Sequence, residues 1–340
     1  MVLVSNYFVA ISLTILAMIC WGSWANTQKL AQKNWRFELY YWDMIAGILI
    51  LAILSALTLG SLGSSGRTFI EDIQQADSAS ILFAIIGGVL WNTGNLLLVA
   101  AIAVAGMSVA FPIGGGIAWI LGIVVNFVVI LMAGKVPSNN PALLWFGVGL
   151  VVFAIYLSGK SYSKLARQQQ KPSLKGILLS VSGGLFIAFF YGFVVKSLDS
   201  NFVDGGTGTL TPYSAIVFFS FGVIIICTIL FFLFLMKPMK IGIPGSFKEY
   251  FNGSFRTHMA GILGGIIWCL GMVTSFAAVG AANPAIAYAL SNAAPVVAIL
   301  WGIFVWKEYK GAPKGSNSLL VAMFVLYIIG LFLITYSNAK

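Results

Sequence analysis

The chain runs to 340 residues, of which 60% are apolar and only 8% charged, with a formal net charge of +10 and a mean hydropathy of +0.98. A soluble domain is about 45–50% apolar and about 25% charged, so there is too little charge here to coat a water-facing surface. A soluble enzyme, a disordered chain and a disulfide-stapled secreted domain are excluded. The basic excess does not indicate nucleic acid either, because Lys and Arg fall in short gaps between long apolar runs.

Runs of roughly 20 apolar residues, the length that crosses hydrocarbon as a helix, fall at 7–26, 39–59, 80–103, 108–132, 142–159, 175–196, 212–236, 257–279, 284–306 and 317–336. The expected fold class is an all-α polytopic membrane protein with ten transmembrane helices. Barrel strands would alternate in polarity, whereas these runs are continuous. No Lys or Arg precedes the first run, and it is too long for the apolar region of a signal peptide, so it counts as span 1. Cys20, Cys227 and Cys269 lie inside apolar runs without pairing or metal spacing. The lone His258 has no second His and no carboxylate beside it in sequence, so no metal or cofactor is expected.

Self-comparison finds a repeat at an offset of 177 residues. Gly87-Gly88-Val89-Leu90-Trp91 with Gly94 returns as Gly264-Gly265-Ile266-Ile267-Trp268 with Gly271, and Val109-Ala110-Phe111 returns as Ile286-Ala287-Tyr288. Spans 3–5 therefore correspond to spans 8–10, which implies a first five-helix repeat (1–160), a basic linker (161–175) and a second five-helix repeat (176–340). An odd number of spans per repeat inverts one half relative to the other, and inverted repeats place a solute site at their interface near the midplane.

Loop charge indicates orientation. Fifteen of the nineteen Lys and Arg residues fall in odd-numbered loops; the other side holds Arg67, Lys135, Lys196 and Lys340, with the acidic run Glu71, Asp72 and Asp77. The odd loops are expected in the cytoplasm of a multi-pass cell-membrane protein, with both termini extracytoplasmic.

Ten spans in a five-plus-five repeat resemble the drug/metabolite transporter superfamily. The stretch from Ser246-Phe247-Lys248-Glu249-Tyr250 through Ala260-Gly261, Pro295 and Trp301-Gly302-Ile303 to Glu308-Tyr309 resembles the ureide permease family. So do Gly94-Asn95, Asn126, the Tyr41–Asp43 region and Tyr213 through Phe219. Trp21-Gly22-Ser23 is shared with the neighbouring glucose/ribose porters and rhamnose–proton symporters. The resemblance implies proton-coupled carriage of allantoin, uracil and related oxo-heterocycles, and an Asp at position 43. The plant members' long central loop with a Walker-A-like segment has no counterpart: spans 5 and 6 are joined by a short basic linker.

Asp43 is the leading coupling candidate. An ionised carboxylate inside a span costs about 2.5–3.5 kcal/mol on insertion scales, so it is either a proton- or solute-binding group or an interfacial acid near Lys33 or Arg36. Glu38 sits at the mouth. Asn92 and Asn95 share a helix face with Trp91 nearby; they serve either helix–helix hydrogen bonding or recognition of carbonyl and N–H groups on a neutral solute. Asn126 reads as packing. The paired segments Phe111-Pro112-Ile113-Gly114-Gly115-Gly116 and Tyr288 through Asn292 to Pro295 are expected to interrupt spans 4 and 9, because proline and clustered glycines disfavour uniform helix; close small-residue packing is the alternative. Trp35, Trp145 and Trp306 read as interface anchors, and Lys29, Lys196 and His258 as residues of span ends. Trp21, Trp91 and Trp268 could stack on a flat ring or simply pack. The expected substrate-binding set is Trp21, Trp91, Asn92, Asn95, Phe111, Gly115, Trp268, Tyr288 and Asn292.

One His and nine acids give no nucleophile–base constellation, and no Gly-x-x-x-x-Gly-Lys-Ser/Thr motif marks an ATP-driven pump. The expectation is a non-enzymatic secondary transporter whose partners are the lipid bilayer, a small solute and protons, acting as a monomer or homodimer. A monosaccharide–proton symporter or a metabolite or drug exporter stands as the alternative.

Overall fold

The computed structural model describes residues 1–31, 35–105, 107–165, 174–199, 207–235, 247–307, 310 and 312–338. Lys33, Ser246, Glu308, Tyr309, Lys340, most of the 161–175 linker and the side chain of Phe111 lie outside the described residues. Within them, ten helices are long and apolar enough to cross a membrane.

The chain begins with α1 (Tyr7–Ser23), which tightens into a 3-10 segment (Trp24–Leu30), and α2 (Phe37–Leu57). A short α3 (Phe69–Gln75) precedes α4 (Ser78–Ala105), α5 (Met107–Met132) and α6 (Pro141–Leu165). The chain continues with α7 (Leu174–Ser197), α8 (Pro212–Leu235), short α9 (Phe247–Phe251) and α10 (Phe255–Ala282). Span 9 is split into α11 (Pro284–Ser291) and α12 (Pro295–Leu300), and α13 (Ser316–Tyr336) closes the bundle. Side-chain acceptors start several helices by taking a first-turn N–H that has no intrahelical partner. Asn6 accepts from Phe8 N and Val9 N, Thr68 and Glu71 form a capping box on α3, Asp77 accepts from Ser80 N, and Ser254 accepts from Thr257 N.

The core is built by α4 against α7 and α8, α10 against α1 and α2, and α5 against α7, while α6 and α13 pair on the flank. Lipid is as apolar as Leu, so helices in a bilayer associate through close packing at small residues. Gly88 meets the Phe219 carbonyl and Gly265 the Met44 carbonyl; Gly222 meets the Ile85 carbonyl and Gly47 the Ile262 carbonyl. A Cβ at any of the four would overlap the facing backbone.

Span 4 departs from expectation. Phe111 through Gly116 are helical within α5, and only span 9 is interrupted, at Asn292–Ala294. The glycines serve approach rather than breakage: Gly114 meets the Ser180 carbonyl of α7, and Gly184 meets the Gly114 carbonyl in return. Tertiary packing overrides the local propensity, because a broken helix in hydrocarbon needs other partners for its backbone.

Both termini lie at one end. Val2 N donates to Leu59 O at 2.7 Å, Tyr7 OH donates to Thr335 O, and Asn140 N donates to Ser337 O at 2.9 Å. This even-loop end also carries a buried ionic cluster. Arg67 Nε lies 2.9 Å from Asp72 Oδ1 and Nη1 3.3 Å from Asp199 Oδ2, while Nη2 donates to Thr209 O at 3.1 Å. Thr211 N and Gln75 Nε2 donate to the Asp72 carboxylate at 2.8 and 3.0 Å. The α2–α4 connection is thereby tied to the α7–α8 connection.

Candidate solute and coupling site

Three of the expected aromatics converge in the middle of the bundle. Trp91 of α4 and Trp268 of α10 have ring centroids 4.0 Å apart, and Trp21 of α1 stacks on Trp268 at 6.2 Å. The Trp21 indole N–H donates to Trp268 O at 3.0 Å, and Phe219 of α8 completes the cluster at 5.9 Å from Trp268. Large flat rings supply much apolar contact and favour offset arrangements.

The paired amides lie on the same helix as Trp91, and Tyr41 joins them. Tyr41 OH donates to Asn92 Oδ1 at 2.6 Å and accepts from Asn95 Nδ2 at 2.8 Å; Asn92 Nδ2 donates to Val223 O at 2.8 Å. Asn92 is fully buried and binds α2, α4 and α8 together, whereas Asn95 is half-buried. Asn126 donates to Gly122 O of its own helix at 2.8 Å.

Tyr288 belongs to a separate cluster. Its hydroxyl donates to Ala118 O at 2.6 Å, its ring meets Tyr191 edge-on at 5.1 Å, and Tyr191 stacks on Phe276 at 4.6 Å. Ser275 links this group to Ser291 at 3.1 Å. Asn292 donates to Tyr288 O at 3.2 Å, closing the end of α11. Gly115 lies half-buried on α5.

Asp43 is 2% exposed and is held by His258 and Tyr250. His258 Nδ1 stands 3.0 Å from each carboxylate oxygen, and Tyr250 OH donates to Oδ1 at 2.6 Å. Arg36 pairs instead with Glu38, 3.5 Å away. His258 is thus not an isolated interfacial residue: a carboxylate separated by 215 positions lies against it. Burial and the adjacent Asp43 charge push the Tyr250 phenol up, which keeps it a donor. Trp35, expected as a membrane anchor, packs edge-on against His258 at 5.4 Å. Sequence reasoning missed His258, Tyr250, Tyr41 and Phe219. The available signals were the single histidine at the start of a span and the aromatic in Phe247-Lys248-Glu249-Tyr250.

At the odd-loop end, Trp301 Nε1 donates to Ser23 Oγ at 2.8 Å and Trp306 Nε1 donates to Asn26 Oδ1 at 2.6 Å. Lys29 Nζ lies 3.8 Å from the Trp306 ring centroid. At the even-loop end, a cavity of about 470 Å³ opens between α5, α7, α10 and α11, lined by Val129, Lys135, Lys196, Asp199 and Asn283 among others.

The family model described as ureide permease matches residues 40–174 and 163–337. Ureide permease 4 of Arabidopsis thaliana is 26% identical over 97% of both chains, and ureide permease 1 of the same plant is 25% identical over 97% of both. A crystal structure covering 98% of this chain and 100% of its own superposes with a TM-score of 0.63 at 14% identity, which shows the shared fold. With family matches across nearly its whole length and ten helices able to span a bilayer, this chain is a multi-pass membrane transporter, not an enzyme, and it belongs to the ureide permease family.

Proposed function

We propose that this chain is a proton-coupled secondary transporter of a small neutral polar solute: a ureide, a nucleobase or a related oxo-heterocycle. Its two halves, 1–160 and 176–340, have inverted orientations. The observation that carries the reading is the meeting of Trp91 and Trp268 at 4.0 Å, because these residues stand 177 positions apart in the repeat. Repeat mates touch one another only near the axis that relates the halves, which is where inverted-repeat transporters hold their solute.

The glycine contacts support the same relation. Gly88 on Phe219 answers Gly265 on Met44, and Gly222 on Ile85 answers Gly47 on Ile262. Helix pairs answer in the same way: α4–α7 to α10–α1, and α4–α8 to α10–α2. The plant relatives, named as ureide permeases, suggest the ureide class. A flat oxo-heterocycle fits a site of indole faces with an amide one turn along at Asn95. Trp21, Trp91, Asn95 and Trp268 would form its core, with Asn92 holding α4 in place. Gly115, Tyr288 and Asn292 would line the α5 and α11 side.

Asp43 is the proposed coupling group. One proton moving inward contributes about 2.3 kcal/mol per 100 mV. Fifteen of nineteen basic residues lie in odd-numbered loops, which supports a cytoplasmic odd end in the cell membrane. The even-end cavity then faces outward.

Uptake of radiolabelled allantoin and uracil into liposomes carrying the purified protein tests the reading. An inward proton gradient should drive accumulation that a protonophore collapses, and Asp43→Asn should abolish it. Asn95→Ala should weaken affinity about five- to hundredfold, the worth of one buried neutral hydrogen-bonding partner. Protonophore-insensitive accumulation would remove the coupling, and transport of glucose or rhamnose in place of ureides would move the solute class.

A further inference from the structure

A carboxylate as buried as Asp43 requires a cation or several donors, because an unpaired buried charge is strongly destabilising. Among the described residues, the imidazole of His258 lies against it and can supply a cation near neutral pH. His258 is the single histidine of the chain, and its Nδ1 stands 3.0 Å from both carboxylate oxygens. Its other nitrogen points away: a Cβ on Gly253, in the turn between α9 and α10, would lie 2.5 Å from Nε2. Tyr250 of α9 donates to Oδ1 of the same carboxylate. The pair therefore joins three elements at the odd-loop end: α2, α9 and α10.

Other charged and titratable groups on the neighbouring elements have separate placements. On α2, Tyr40 shares a hydrogen bond of 2.6 Å with Thr27 and Tyr41 bonds the two amides, while Glu38 pairs with Arg36. Lys29 of the 3-10 segment lies over Trp306. Lys248 of α9 and Arg256 of α10 are exposed, Glu249 is half-buried next to Tyr250, and Cys227 of α8 is buried.

We propose that His258 is a second proton-coupling residue, which exchanges the transported proton through Nε2 at the Gly253 turn while Nδ1–H remains on Asp43. In the step, the Nε2–H bond breaks, its electron pair stays on nitrogen and the proton passes to water. A net-neutral imidazolium–carboxylate pair becomes an imidazole–carboxylate pair of charge −1. The charge-assisted bond between α2 and α10 weakens, and Tyr250 conveys the change to α9. Proton loss at the odd end thus loosens the tie between the helices that close it.

The inference rests on the proton-coupled reading above, but its first test needs no solute, so the two can fail separately. Histidine-selective isotope labelling gives one imidazole signal in the whole chain, whose pH titration is read by NMR in detergent. Asp43→Asn should lower the midpoint by about one pH unit or more, because it removes the facing negative charge. Tyr250→Phe should raise it, because a carboxylate that loses one donor holds the shared proton more tightly. An unchanged midpoint in both variants would overturn the pairing. In liposomes, His258→Gln should retain allantoin counterflow at equal pH and lose accumulation driven by a pH gradient. Wild-type accumulation in His258→Gln would overturn the role. If that variant does not fold, or if allantoin is not carried, the opposed shifts of the two titrations decide.

Discussion

The short helices α3 and α9 each precede a long helix, capped by Asp77 and by Ser254, which stand 177 positions apart. Their surroundings are chemically opposite. Beside α3, Arg67 is locked between Asp72 and Asp199, and a guanidinium stays protonated at any physiological pH. Beside α9, the buried acid faces an imidazole, the side chain whose charge changes most readily near neutrality. One end is a permanent tie, and the other, on the proposed coupling, is loosened when a proton leaves. Chemical asymmetry laid over related backbones lets a protein treat its two mouths differently.

The largest effect should come from cutting the permanent tie. Arg67→Ala leaves two buried carboxylates unmatched and should cost about 3–5 kcal/mol, read as a large fall in melting temperature in detergent. Asp43→Asn, at the other end, should fall far less in stability and lose coupling instead. Equal melting temperatures for the two variants would erase the distinction between the ends.

Glycine contacts sharpen the likeness beneath it. Gly88→Ala and Gly265→Ala each press a methyl into a facing carbonyl and should cost about 1–3 kcal/mol apiece. A thermal shift in one without the other would break the correspondence between halves.

Asn92 and Asn95 separate support from recognition within one helix. Asn92→Ala removes the acceptor of the Tyr41 hydroxyl and the donor to Val223 O and should lower stability by about 1–3 kcal/mol. Asn95→Ala should affect solute affinity more than melting. If the two behave identically, the amides share one structural role.

The smallest effect lies at the caps. Hydrogen bonding from the Ser80 N–H holds the Asp77 carboxyl below the ordinary carboxylate range. Its stabilising contribution is therefore present above that ordinary range and is lost as pH falls through the depressed folded value. Asp77→Asn should flatten the acid limb of the melting profile. Ser254→Ala should lower stability by about 1 kcal/mol with no change in pH dependence, since its hydroxyl does not titrate.

Much of the architecture was legible in the chain. The ten apolar runs and the family resemblance rest on local patterns, since a span must satisfy its backbone internally and announces itself by length and polarity. The local pattern leaves Asp43 either buried or interfacial and the indoles either stacking or packing, but the placement of Asp43, Trp21, Trp91 and Trp268 within spans followed from it. His258 and Tyr250 did not, because their partner lies 215 and 207 residues away and neither forms a motif with it in sequence.

By itself, then, the sequence determined a membrane-spanning all-helical chain and its family. Only the tertiary structure decided that the Phe111–Gly116 segment remains helical while span 9 breaks, because whether a glycine run bends or admits a neighbour depends on the backbone of α7 facing it. It alone decided that Asn92 ties helices together and that Asp43 meets an imidazole. Hydrophobic patterning is written residue by residue along one helix, whereas the partner of a buried polar group is set by which helix arrives on its other side.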